Sequence, residues 1–114
     1  MADEKIYIDF DEGVKRVMNN TKLYVKLLTK FRTDTNTDAL SAALAAGELS
    51  TAQSHAHTIK GIAANLSLME LYNQVLELEN QIKANAVDPN QIEIVLNVFN
   101  ETIKEADKAI ADNG

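Results

Sequence analysis

Residues 50–68 read STAQSHAHTIKGIAANLSL, and the interpretation of the whole chain starts from this stretch. Placed on an α-helix at about 100° per residue, it has one apolar face and one small polar face. The apolar face holds Ala52, Ile59, Ile62 and Leu66, and the polar face holds Ser50, Gln53, Ser54, His57, Lys60, Gly61 and Ala64. We expect the first face to be buried and the second to be accessible.

His57 lies at the centre of the polar face. Lys60 and Gly61 follow it by three and four residues, so both flank the imidazole along the helix surface. A glycine inside a helix costs roughly 1 kcal/mol relative to alanine, which indicates that something approaches the backbone closely at Gly61. Ala64, one turn further on, has a small side chain that would also allow a partner to approach closely. The face is therefore predicted to be a docking surface for a flat partner, with an exposed ring nitrogen in its middle.

This face also resembles the phosphoacceptor helix of the histidine-containing phosphotransfer (HPt) domains of multistep two-component relays. The resemblance is carried by the run His57-Thr58-Ile59-Lys60-Gly61, followed by Ala63, Ala64 and Leu66. Ser67 departs from the pattern, because many members have glycine there. The resemblance implies that His57 receives a phosphoryl group from an aspartyl phosphate on a response-regulator receiver domain and passes it to another. The implied partners are receiver domains and a sensor or hybrid histidine kinase.

A phosphoacceptor imidazole must present one neutral nitrogen while its other nitrogen holds a proton that is fixed by an acceptor. The resemblance places this acceptor on the next helix, at Glu79 when counted without gaps, and Glu79 follows the core residue Leu78. Lys60 is expected to supply positive charge about one helical turn from the phosphoryl group. The expected contacts of the receiver are Gln53, Ser54, Gly61 and Ala64.

The second histidine, His55, is predicted to have a different role. It lies two residues before His57, about 200° around the helix, and so points toward the apolar face. We expect it to be a wholly or partly buried structural residue. A metal site made from the pair is not expected, because helical metal ligands converge at a spacing of three or four residues.

The sequence has no Walker glycine loop, no glycine motif of the kinase type and no carboxylate cluster suited to Mg²⁺. We therefore expect a phosphoryl carrier and not an enzyme, with no cofactor of its own. Magnesium and the catalytic machinery are expected on the partner receiver.

Composition limits the remaining function classes. At 114 residues and 46% hydrophobic content, residues 1–114 are expected to form a single domain with one core. A net charge of −6 argues against nucleic acid or an anionic membrane surface as partner. No segment approaches the roughly 20 apolar residues that span a bilayer, and the N-terminus has no apolar signal region. A cytoplasmic monomer is expected.

Hydrophobic periodicity predicts an all-α fold, an antiparallel up-down four-helix bundle with a short additional N-terminal helix. The predicted helices span residues 6–18, 21–46, 50–66 and 68–84, and a last helix begins at Pro89 and frays over residues 112–114. Residues 33–38 have poor helix propensity and allow a kink or a break. The resemblance favours one continuous helix over residues 21–46.

Local signals predict where these helices begin and end. Asp9 with Glu12, and Ser50 with Gln53, are capping-box candidates. Gly47 is expected to end the second helix, and Asp88 is expected to cap the last one.

Two other functions remain open. The chain can be a helical interaction module that docks receivers without being phosphorylated. It can also be the phosphoacceptor domain of a chemotaxis-type histidine kinase, fed directly by an ATP-binding domain. Acceptance of phosphate by His57 would distinguish a relay intermediate from the interaction module. The donor, a receiver or an ATP-binding domain, would distinguish it from the chemotaxis-type domain.

Overall fold

The computed structural model describes residues 6–113, which form six helices and no strand. The helices are α1 (Phe10–Arg16), α2 (Thr21–Phe31), α3 (Asn36–Ala45), α4 (Leu49–Leu66), α5 (Met69–Lys83) and α6 (Pro89–Asn113). The all-helical prediction is confirmed. No helix in this part of the chain is long and apolar enough to cross a membrane.

The long helix predicted over residues 21–46 is wrong, because α2 and α3 are separate helices. Side chains between them take the hydrogen bonds that would continue a helix. Thr33 Oγ1 donates to the carbonyl of Lys30 at 2.9 Å, and Asp34 Oδ1 accepts from the backbone N–H of Asn36 at 2.8 Å. Such short polar side chains compete with the helical backbone, and here they end α2 and start α3.

The first helix is also shorter than the predicted 6–18. It begins at Phe10, because Asp9 has a non-helical backbone and its carboxylate accepts from the N–H of Glu12 at 3.2 Å. The cap is therefore confirmed, but the reciprocal half of the capping box does not form. The Glu12 side chain instead accepts a hydrogen bond from Ser67 Oγ at 2.8 Å.

The predicted cap of the central helix is wrong as well. α4 begins at Leu49 after Glu48, which makes no side-chain capping bond. The reason lies in the preceding turn, where Gly47 adopts a φ of +73° and ends α3 as predicted. The N–H of Glu48 then bonds to the carbonyl of Ala43, so the chain enters α4 before Ser50 is reached.

The predicted ends of α5 and the predicted start of α6 agree with the structure within one residue. α5 spans Met69–Lys83, and α6 begins at Pro89 after Asp88, whose Oδ1 accepts from the N–H of Asn90 at 2.9 Å. α6 stays helical to Asn113, so the fraying predicted at residues 112 and 113 is wrong, and the part of that prediction on residue 114 lies outside the described residues.

α4 occupies the centre of the molecule, packed mainly against α3 and α5, while α6 packs against α5 and α2. The core is built from the buried apolar residues of these helices, with Tyr24, Leu28, Ile59, Leu71, Leu78 and Val95 among them. Phe31 and Phe99 meet edge to face with their ring centroids 5.5 Å apart. Tyr24 and Phe31 are buried in the core, and Phe99 is partly buried and packs against it.

The C-terminal end of α4 is held by the N-terminal part of the chain. Tyr24 Oη donates to the carbonyl of Leu66, and the N–H of Asp9 donates to the carbonyl of Ser67 at 3.0 Å. Ser67 ends the helix with a left-handed φ of +56°. These bonds satisfy carbonyls that a helix end leaves unpaired, and they fix the end of the helix that carries His57.

Candidate functional site

The two faces of α4 are divided as the helical periodicity predicts. Ala52, Ile59 and Leu66 are buried, together with Ala56 and Ala63, whereas Ile62, also predicted on the apolar face, is only partly buried. On the opposite face Ser54, His57 and Gly61 are exposed, and Gln53, Lys60 and Ala64 are partly exposed. The apolar face fixes the rotation of the helix, and this rotation turns His57 outward.

His57 is an exposed imidazole beside a buried carboxylate. The His57 side chain is 75% exposed, whereas that of Glu79 on α5 is 3% exposed. The distance from His57 Nδ1 to Glu79 Oε2 is 3.6 Å, which is longer than a hydrogen bond. Hydrogen bonds of a reacting group are often long before the partner is bound and shorten in the complex.

Lys60 contacts the same carboxylate. Its Nζ donates to Glu79 Oε1 at 2.7 Å, and the Lys60 side chain is only 20% exposed. Lys60 is therefore paired with Glu79 and does not extend into solvent beside His57. Removing one partner of a buried ion pair is strongly destabilising, by about 3–5 kcal/mol in fully buried cases, because the other charge is left uncompensated.

Glu79 is ionised despite its burial. Burial alone would raise its pKa, but the hydrogen bond from Lys60 and the charges of Lys60, Lys83 and His57 lower the pKa below its ordinary value of 4.5. The carboxylate can therefore accept a hydrogen bond from the Nδ1–H of His57. This arrangement favours the tautomer in which Nε2 is the free nucleophilic nitrogen.

A shallow groove lies beside the imidazole. It is lined by Ser50, Gln53, Ser54, His57, Glu79 and Lys83. The groove brings two of the predicted docking residues, Gln53 and Ser54, next to His57 and Glu79. Gly61 and Ala64 lie further along α4, toward a second depression that Ala64 lines with Arg16, Met69 and Tyr72.

Gly61 is a glycine that the fold itself does not require. A methyl group built at Gly61 would meet no atom within 4 Å apart from the helix backbone and the neighbouring residues. The intramolecular packing of the described residues therefore gives no reason for glycine at this position. The open space agrees with the expectation that a partner approaches the helix there.

His55 lies on the inner side of α4, partly buried as predicted. Its Nδ1 is 3.1 Å from Asn36 Oδ1, and the amide of Asn36 donates to Asp34 Oδ1 at 3.0 Å. These contacts tie the start of α3 to α4. His55 is thereby separated from His57 in both position and bonding.

The sequence prediction missed Lys83, whose Nζ lies 3.9 Å from Glu79 Oε2. The available signal was its position four residues after Glu79 on one helix, where oppositely charged side chains become neighbours. That spacing alone does not show that the pair faces His57, because this depends on the rotation of α5 relative to α4.

An exposed imidazole on a helical scaffold, backed by an ionised buried carboxylate, defines a class of site that can accept a group on a ring nitrogen. The family model described as the Hpt domain matches residues 26–110. The chain therefore belongs to the Hpt domain family, as its sequence predicted. Searches of curated proteins and of solved structures returned no match.

Membership of this family implies phosphotransfer in two-component signalling. Hpt domains are phosphocarrier modules and not catalysts, and the family interacts with receiver domains and kinases.

Proposed function

We propose that this domain is a phosphorelay intermediate, in which His57 reversibly accepts a phosphoryl group from a receiver aspartate and passes it to another receiver. The observation that carries the proposal is the placement of the 75% exposed His57 ring beside the 3% exposed Glu79 carboxylate. A surface role for the histidine would not explain why a buried carboxylate lies 3.6 Å from its Nδ1.

In the proposed step, Nε2 of the neutral His57 ring attacks the phosphorus of the aspartyl phosphate. The N–P bond forms while the P–O bond to aspartate breaks, and its electron pair leaves with the aspartate carboxylate. The ring keeps its proton on Nδ1 and becomes positively charged. Glu79 stabilises this charge and orients the ring, in the manner of the carboxylate of a catalytic triad. Lys60 contributes its positive charge to the site, in the first place by keeping Glu79 ionised.

The receiver is proposed to dock on the exposed face of α4. Gln53 and Ser54 would contact it on one side of His57, and Gly61 and Ala64 on the other. Apart from the helix backbone and the neighbouring residues, no described atom lies within 4 Å of a methyl group built at Gly61, and this supports a close approach at that point.

The remaining features are proposed for the chain as a whole. Residues 1–114 are a single domain of the antiparallel up-down four-helix type, in which α2 and α3 together take the place of one helix. The packing of α4 between α3 and α5, and of α6 against α5 and α2, supports this arrangement. The domain acts as a cytoplasmic monomer without a cofactor, and Mg²⁺ is supplied by the receiver.

The experiment that tests the function is transfer of labelled phosphate from a phosphorylated receiver domain, without ATP. Wild type and His55→Gln are expected to become labelled, and His57→Gln is expected to lose at least 95% of the label, roughly a twentyfold loss, because it lacks the nucleophile. His55→Gln is the matched control, since it removes an imidazole two residues away from the site.

Other results would support the alternatives. No label in any variant, with a panel of receivers, would indicate an interaction module or a domain fed by a kinase, and ATP with a kinase would then separate these two. Equal loss of label in both histidine variants would contradict the assignment of His57.

A further inference from the structure

Two ammonium groups approach Glu79, and they are held differently. Lys60 Nζ lies 2.7 Å from Glu79 Oε1 with its side chain 20% exposed, whereas Lys83 Nζ lies 3.9 Å from Glu79 Oε2 with its side chain 52% exposed. A separation of 3.9 Å is too long for a hydrogen bond. Lys60 is thus firmly bonded to the carboxylate, and Lys83 is only a near neighbour of it.

The charges of this cluster do not cancel. Within residues 6–113, the ion pairs of Glu79 join one carboxylate to the ammonium groups of Lys60 and Lys83. The close pair of Lys60 and Glu79 accounts for one positive and one negative charge. The positive charge of Lys83 is then not balanced by Glu79. It lies beside a histidine that would receive roughly two negative charges with a phosphoryl group.

Only one of the two lysines can move toward a phosphoryl group without penalty to the fold. If Lys60 moved, the buried carboxylate of Glu79 would lose its closest counter-ion, and an uncompensated buried charge is strongly unfavourable. Lys83 makes no hydrogen bond that it would have to break with Glu79, and half of its side chain is already in solvent.

The groove beside His57 also favours Lys83. Lys83 lines this groove together with His57, Ser50, Gln53 and Ser54, whereas Lys60 is not one of its lining residues. We propose that Lys83 is the cation that binds the phosphoryl group on His57, and that Lys60 is a positioning residue that acts through Glu79. This inference rests on the proposed function of His57 as phosphoryl acceptor.

The test uses potassium phosphoramidate as phosphoryl donor, so that no receiver is needed. Nε2 of His57 forms the N–P bond, the P–N bond of phosphoramidate breaks, and ammonia leaves. All variants carry His55→Gln, so that the phosphohistidine is at position 57. After removal of the donor, the decay of phosphohistidine is followed by ³¹P NMR at low and high NaCl.

Lys83→Ala is expected to shorten the lifetime of the phosphohistidine by about 3- to 10-fold at low salt, because the phosphoryl dianion loses a neighbouring cation. The dianion loses charge density in a loose transition state, so the cation stabilises the phosphohistidine more than the transition state. The difference from the parent protein is expected to shrink in high salt, and Lys83→Arg should restore the lifetime.

Lys104→Ala is the matched control, because it removes a lysine that is 68% exposed and paired with Glu101 on α6. Its lifetime should equal that of the parent protein. The inference would be overturned if the phosphohistidine lifetime in Lys83→Ala equalled that of the parent protein. It would also be overturned if a folded Lys60→Ala variant had a shortened lifetime while Lys83→Ala did not. Failure of the parent protein to become phosphorylated at His57 would instead count against the proposed function, and the inference would fall with it.

Discussion

Glu79 is a buried carboxylate whose ionisation is maintained by its basic neighbours. Because its pKa is lowered in the folded protein relative to 4.5, the folded state binds this proton less readily than the unfolded state. Its contribution to stability is therefore fully present above the unfolded pKa. That contribution is lost as the pH falls through the folded pKa.

The corresponding prediction compares wild type with Glu79→Gln between pH 7 and pH 3. At pH 7 the variant is expected to be less stable by about 1–3 kcal/mol, since Lys60 loses its charged partner. The difference in unfolding free energy, measured by urea denaturation, should decrease as the pH falls below about 4.5, the region in which glutamates take up protons.

The control for this series is Glu77→Gln, which changes an exposed carboxylate of the same helix. It is expected to alter the unfolding free energy at pH 7 by less than about 0.5 kcal/mol. A gap between wild type and Glu79→Gln that stays constant down to pH 3 would contradict the ionisation of Glu79.

The residues of the site differ in how well the sequence predicts them. Helical periodicity is enough to place His57 outward and His55 inward, because the apolar residues of α4 fix its rotation. The proximity of Glu79 to His57 follows only from the resemblance and a gap-free count. The position of Lys83 and the pairing of Lys60 with Glu79 depend on how α4 and α5 face each other. This orientation cannot be derived from a single sequence.

At the scale of single helices, α1 and α4 contain glycines with opposite surroundings. A methyl group at Gly13 in α1 would overlap the ring of Tyr24, whereas a methyl group at Gly61 in α4 would meet nothing within 4 Å beyond the helix backbone and its chain neighbours. Gly13 therefore allows α1 to lie against the tyrosine that holds the end of α4. The same substitution should have opposite effects in the two helices.

Gly13→Ala is expected to destabilise the protein by about 1–3 kcal/mol, because the ring or the helix must move. Gly61→Ala is its matched control and is expected to stabilise the protein by up to about 1 kcal/mol through helix propensity. Thermal unfolding followed by circular dichroism measures both. A Gly13→Ala variant as stable as Gly61→Ala would show that α1 does not need this close contact.

Helix positions were more predictable than helix ends. The apolar residues of α5 and α6 repeat every three or four residues. The extents of both helices agree with the prediction within a few residues. The composition of residues 33–38 allows the break between α2 and α3, whereas the resemblance favours one continuous helix there. The competition between side-chain and backbone hydrogen bonds is decided by local geometry, as at Asp34 and Asn36.

At the scale of the whole molecule, α4 carries its packing residues and its proposed docking residues on opposite faces. Its inner face is packed between α3 and α5, and its end is held by Asp9 and Tyr24. On the outer face, Lys60 pairs with the buried carboxylate of Glu79, whereas Ser54 and Gly61 are exposed. Changes at the exposed positions of the outer face, Lys60 excepted, should therefore affect the proposed partner binding without affecting folding.

Gly61→Leu tests this separation. It is expected to leave the unfolding temperature equal to or above that of wild type, while weakening receiver binding by about tenfold or more, since a large side chain would stand at the point of closest approach. Binding is measured by calorimetry with a receiver domain. Gly61→Ala, which introduces a smaller side chain at the same position, is measured for comparison. Normal binding by Gly61→Leu would contradict a close approach at this position.

The contact between His55 and Asn36 has a practical consequence for spectroscopy. The molecule carries two imidazoles two residues apart, one anchored between two helices and one in solvent. In a proton–nitrogen spectrum, the anchored ring would report whether the protein is folded, and the solvent-facing ring would report whether it carries the phosphoryl group that we propose. The protein thus contains its own internal standard, against which occupancy of the site can be followed in one sample.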